Sequence, residues 1–146
     1  VWDDSESLLQ HTISVNPNSF GAMYLLAKTR IAAGDFAAAE PLLDRALELE
    51  PHYPLAHDAL ASVLLHTGRV EQAVQQLQMY VDSGLKDTPS QRKDLSTDRT
   101  VLGLYYLKNH DRAKAAVEFQ EALRLQPGDA SIQALLAQAQ SASTQP

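Results

Sequence analysis

The chain has no cysteine. That excludes a disulfide framework, a thiolate nucleophile and a cysteine-ligated zinc site, and it fits a cytoplasmic or a periplasmic setting equally. Glycine is scarce, at six residues. Each glycine has a turn or a close helix contact to explain it, so no glycine-rich phosphate loop is present. Positive charge is also in short supply: 12 Lys and Arg stand against 18 Asp and Glu, for a net charge of −6 and a pI near 5.2. Nucleic-acid binding proteins carry clustered basic residues, so none is expected as a partner. No apolar run approaches the roughly 20 residues of a membrane-crossing helix, and no direct membrane insertion of this segment is expected.

The histidines do not assemble a metal site. His11, His52, His57, His66 and His110 form no H-E-x-x-H motif and no i, i+4 pair. His57 and His66 share a predicted helix but are too far apart for one ion. Ser, His and Asp are present without a nucleophile elbow or an oxyanion hole. Asp3, Asp4, Glu48 and Glu50 read as solvated helix-end charges. No catalytic residue, metal or cofactor is therefore expected, and the chain does not read as an enzyme.

What is present is helical and repetitive. Hydrophobic residues make up 45% of the 146 and charged residues 21%, enough to bury a core. Ala, Leu, Gln and Glu dominate. The stretches 32–51 and 108–127 are near-copies, sharing Asp35/Asp111, Ala37/Ala113, Ala39/Ala115, Ala46/Ala122, Leu47/Leu123, Leu49/Leu125 and Pro51/Pro127. The same interval of 34 residues separates Pro17 from Pro51, Gly34 from Gly68 and Ala39 from Ala73. Ala73 to Ala115 is 42, one period plus eight. A fixed period of this length marks a stacked helical repeat.

Each unit reads as a helical hairpin. In the first, Met23, Leu26, Ala27 and Arg30 share a helix face, Gly34 turns the chain, and Asp35 caps the next helix. Leu42, Leu43, Ala46, Leu47 and Leu49 line that second helix, and Pro51 stops it. Pro41, inside it, costs one backbone hydrogen bond. In the second unit Leu60, Ala61, Leu64, Ala73, Leu77 and Tyr80 are the expected core, Gly68 turns the hairpin, and Gly84 ends it. The boundaries so obtained are 1–19 for the second helix of a truncated unit, 20–53 and 54–87 for two hairpins, 88–95 for an insertion, 96–129 for a third hairpin, and 130–146 for a closing helix with a frayed tail. Two starts compete for the helix around the insertion. Thr88-Pro89 supplies one, giving an extended helix from near Ser90, which is preferred; Ser96 as cap supplies the other.

The residues "LGLYY", with Leu102, Gly103 and Tyr106, then Ala115, Phe119, Ala122 and Pro127, resemble the tetratricopeptide repeat, whose signature is W-x2-L-G-x2-Y, A-x3-F, P. The first unit is similar through Leu26, Ala27, Ala39, Leu43, Ala46 and Pro51, and the second through Leu60, Ala61, Ala73 and Leu77. The second unit departs in Tyr80 and in Leu85, which stands where the proline would be. Met23, His57 and Arg99 stand where the family favours Trp. The resemblance covers nearly the whole chain. It implies an all-α, right-handed superhelical solenoid of antiparallel hairpins, and a scaffold or adaptor that binds a peptide or partner protein in the groove lined by first helices.

Periodicity places Tyr24, Lys28, Ile31, Leu55, Asp58, Ser62, Leu65, His66, Thr97, Thr100, Leu104 and Lys108 on that surface, although Ile31, Leu65 and Leu104 equally suit packing beneath the next hairpin. Relatives that clamp the terminal carboxylate of heat-shock chaperones use Lys, Asn, Asn, Lys and Arg. The matching positions here are Tyr24, Lys28, Ala59, Thr97 and Val101, so that activity is not expected. The start, with Trp2, Asp4, Glu6, Leu9, Asn16 and Pro17, also resembles the junction after the last membrane helix of multi-spanning glycosyltransferases. That would make the chain a soluble regulatory or assembly tail of such an enzyme. Trp2 otherwise simply opens a second helix of the repeat. A beginning at Val1 suggests a piece of a longer chain. Trp2, Leu8, Leu9 and Ile13 on the incomplete first unit offer a third possibility, a self-association face that forms a homodimer.

Overall fold

The computed structural model describes residues 2–84 and 88–141, with the side chains of Trp2, Asp3 and Ser90 outside that description. Leu85 and the tail expected to fray, 142–146, also lie outside it. The described residues form eight α-helices and no strand, so the chain is all-α. They divide into two compact units, Val1–Ser83 and Gly84–Pro146.

The first unit holds α1 (Trp2–Val15), α2 (Phe20–Ala32), α3 (Phe36–Leu49), α4 (Pro54–His66) and α5 (Val70–Asp82). Helices α2 and α3 pair as one hairpin and α4 and α5 as the next; α1 lies on α2, and α3 and α2 both meet α4. The turn between hairpin arms is made the same way twice. Gly34 and Gly68 take φ values of +77° and +78°, a left-handed conformation that costs glycine least. Asp35 then accepts a hydrogen bond from the Ala38 N–H at 3.1 Å and caps α3. Arg69 occupies the same slot before α5 and provides no side-chain cap. Its guanidinium instead reaches back to the previous hairpin and donates to both oxygens of Glu40 on α3, at 2.7 and 2.6 Å. The fork geometry holds the Glu40 carboxyl below its ordinary value.

Small residues set the spacing of the arms. Ala27, Ala39, Ala61 and Ala73 are fully buried, with Leu43 and Leu77 between them. All six core positions expected for the second unit are buried, and so are Met23, Leu26, Ala27, Leu43 and Ala46 of the first. Arg30, Leu42, Leu47 and Leu49 are half-buried. Arg30 pairs with Glu6 of α1, which ties that helix to the first hairpin.

The second unit holds α6 (Pro89–Lys108), α7 (Arg112–Leu125) and α8 (Ala130–Ser141), with α7 packed on both others. Helix α6 is 20 residues long, seven more than α2 or α4. Thr88 stands at its cap position without making a side-chain cap hydrogen bond, and its hydroxyl donates to the Gln91 side chain at 2.7 Å. Ser96, the competing cap, is instead mid-helix and buried, donating to the Ala122 carbonyl of α7 at 3.0 Å. Beside it Arg99 of α6 pairs with the buried Glu118 of α7 at 2.8 Å. The turn into α7 puts His110 at φ +63° where the first unit uses glycine, and Asp111 caps α7 by accepting from the Lys114 N–H.

Candidate functional site

Helices α2 and α4 are the first arms of adjacent hairpins, and they meet inside the first unit. Between them is a cleft of about 270 Å³ lined by Tyr24, Lys28, Ile31, Ala32, Asp58, Ala59 and Ser62. Residues 24, 28 and 31 recur at helical spacing on α2, as do 58 and 62 on α4, so each helix turns one stripe toward the gap. Five of the residues that periodicity assigns to a groove, Tyr24, Lys28, Ile31, Asp58 and Ser62, thus line one depression.

Tyr24 is not the exposed residue that periodicity suggests. It is only 9% exposed. Its ring packs edge-on against Tyr53 at 5.3 Å, and Phe20 does the same at 5.2 Å. Tyr53 precedes α4 and inserts between the hairpins, a placement that no pattern within α2 announces. Burial first, and then the Asp58 carboxylate, push the Tyr24 phenol above its ordinary value. Burial raises Tyr53 as well, and the charge of Lys28 partly opposes that. Both phenols are therefore protonated at neutral pH. The Lys28 ammonium stands 5.8 Å from the Tyr24 ring centre, over its face. An ammonium and a carboxylate on opposite walls, a serine hydroxyl and the aliphatic Ile31 side chain suit a ligand of alternating polar and apolar groups.

The other candidates lie elsewhere. Leu55, Leu65 and Ile31 pack partly against the core of the first unit. For Ile31 and Leu65 that is the packing alternative, and Ile31 keeps an edge on the cleft as well. His66 is exposed; its ring stacks on Phe36 at 4.5 Å, and its Nδ1 lies 2.8 Å from the Ser62 carbonyl oxygen. Thr100, Leu104 and Lys108 follow one another at four-residue steps along α6 in the second unit. The Thr97 and Thr100 hydroxyls donate to carbonyls of their own helix. Leu104 is 45% exposed and so does not pack beneath a neighbour. On α1, Leu8 is 64% exposed, whereas Leu9 and Ile13 are half-buried. The side chain of Trp2 lies outside the described residues. Among the described residues no group of three His, Asp or Glu stands close enough to hold one metal ion, and no helix is long and apolar enough to cross a membrane.

Two models of the tetratricopeptide repeat match the sequence, one over residues 30–93 and the other over 100–141. No protein of curated function matches it. Solved structures do resemble it. YrrB, a tetratricopeptide repeat protein with an unusual peptide-binding site, superposes with a TM-score of 0.76 at 15% identity, over 93% of this chain and 66% of its own. MamA from Desulfovibrio magneticus RS-1 gives 0.72 at 19% identity, over 97% of this chain and 76% of its own. PilF of Pseudomonas aeruginosa gives 0.66 at 21%, over 92% of this chain and 58% of its own. At these identities the likeness carries the fold alone.

Proposed function

The chain belongs to the tetratricopeptide repeat family, and from that premise we propose that it docks an extended peptide segment of a partner protein in the cleft between α2 and α4. Repeats of this kind serve in general as non-catalytic protein-interaction scaffolds, and this reading assigns the chain no reaction of its own. The observation that carries the reading is the convergence of Tyr24, Lys28, Ile31, Asp58 and Ser62 from two successive hairpins on one depression. Opposed charges beside an aliphatic wall fit a peptide, whose backbone offers donors and acceptors at every residue and whose side chains alternate. YrrB, similar in fold, is described with a peptide-binding site, which fits the same class of ligand. Selection of a displayed peptide library on the protein tests the proposal. Selected peptides should lose binding to a chain carrying Lys28→Glu and Ser62→Arg; full retention overturns it.

A second reading, self-association through α1, is favoured by the exposure of Leu8 at 64% and Val15 at 71%. Light scattering that reports a dimer, lost on Leu8→Asp, would support it; a monomer at every concentration would end it.

A further inference from the structure

The first unit carries another depression that shares no lining residue with the α2–α4 cleft. Two adjoining cavities, of about 470 and 530 Å³, have His57 and Met79 in common and form one trough between α3 and α5 over α4. Its apolar floor includes Leu60 and Met79, and Met79 is 46% exposed. Its walls carry Asp44 and Glu48 from α3 and Asp82 from α5, and no Lys or Arg joins them.

These carboxylates differ in how well they are satisfied. Glu48 meets Arg45 at 2.7 Å in an exposed pair, an arrangement of small energetic value. Asp82 accepts the Gln78 amide at 2.9 Å. Asp44 has no ion pair and no hydrogen bond among the described residues. Burial, and then the charges of Glu40 and Glu48 one turn to either side, push the Asp44 carboxyl above its ordinary value, with Arg69 opposing. A cation entering here would meet repulsion already in place and relieve it.

We infer that this trough docks a basic amphipathic segment of a partner protein, one large apolar side chain lying over Met79 and Leu60 and flanking Lys or Arg side chains reaching Asp44 and Asp82. The apolar floor alone would accept any oily segment, so the acidic walls choose the sign of the partner. The wider field agrees: residues 1–83 hold eleven Asp and Glu against four Lys and Arg, which steers cations toward this unit.

Fluorescence anisotropy on the whole chain tests the inference. The probes are a labelled peptide of two leucines between arginines and its isomer with glutamates for arginines. The arginine peptide alone should bind saturably. Its affinity should fall about tenfold with Asp44→Asn plus Asp82→Asn, the sum expected from losing two exposed ion pairs. It should fall also with Met79→Ala, and hold in Lys28→Glu, which alters only the α2–α4 cleft. Four results would each overturn the inference: no saturable binding, equal binding of both peptides, undiminished binding to the Asp44→Asn/Asp82→Asn chain, or loss in Lys28→Glu alone.

Discussion

Gly103 on α6 faces the ring of Phe119 on α7 so closely that a Cβ on Gly103 would stand 2.5 Å from Phe119 Cε1 and 2.7 Å from Cδ1. The first unit solves the same crossing with other residues. There the equivalent pairs are Ala27 with Leu43 and Ala61 with Leu77, all nearly or wholly buried. A larger side chain from the second arm is matched by a smaller one on the first. Phe119 is fully buried and has nowhere to retreat. Gly103→Ala should therefore destabilise the chain by about 1–3 kcal/mol, the usual cost of overpacking. Urea unfolding measures it. In the double variant Gly103→Ala with Phe119→Leu, which rebuilds the pairing of the first unit, the loss should be less than the sum of the two single losses.

His110 takes a left-handed φ of +63° in a turn slot where Gly34 and Gly68 stand in the first unit. A side chain there pays a steric cost that glycine avoids, roughly 1–2 kcal/mol. Glycine gives back part of that gain through the greater freedom of the unfolded chain. His110→Gly should raise the urea midpoint modestly, while Gly34→Ala should lower it.

These turn and crossing positions are the ones the sequence makes legible. Gly34, Gly68, Asp35 and the alanines at 39, 73 and 115 answer demands of the local backbone or of one repeated contact, so the pattern returns from unit to unit, at 34 residues for Gly34/Gly68 and Ala39/Ala73 and at 42 for Ala73/Ala115. Tyr24 was open to misreading because what buries it, Tyr53, comes from the loop before another helix and has no counterpart in the repeat pattern. Ser96 has the composition of a helix cap, yet its hydroxyl is spent on a carbonyl of α7, a tertiary bond with no sequence signature. The acidic trough is hidden for a similar reason: its carboxylates, Asp44, Glu48 and Asp82, come from two helices, and each reads as an ordinary surface position on its own helix.

Ser96 gives a prediction of its own. Its hydroxyl is buried and reaches the Ala122 carbonyl, which also accepts the Gln126 N–H at 2.9 Å. Ser96→Ala thus removes a donor without orphaning the acceptor, and the loss should be about 1 kcal/mol. Ser96→Val, which adds bulk at a site 1% exposed, should cost more. Denaturant midpoints of the two variants, compared side by side, check the order.

The Glu40–Arg69 fork links two hairpins and makes stability depend on acid. Glu40 has its folded pKa lowered, chiefly by the hydrogen bonds from Arg69. A lowered carboxyl contributes stability that is fully present above its unfolded value and is lost as pH falls through the folded one. Thermal melts should show a loss below the ordinary glutamate range that is smaller in Glu40→Gln, which has no such proton to take up.

Asp44 has the opposite sign. Its carboxyl is raised, first by burial and then by the charges of Glu40 and Glu48. The folded chain therefore holds the Asp44 proton more tightly than the unfolded chain does. That preference favours folding at acid pH and disappears as pH rises through the raised value. At neutral pH the ionised Asp44 is held against Glu40 and Glu48, and Arg69 offsets only part of that repulsion. Asp44→Asn keeps the shape and removes the charge, so the variant should melt at a higher temperature than the parent at neutral pH. The difference should shrink as the pH drops below the ordinary aspartate range, where the parent is protonated too. A variant that melts at or below the parent temperature at neutral pH would show that the Asp44 charge is stabilised by its surroundings, and would remove the electrostatic strain that a basic partner is expected to relieve.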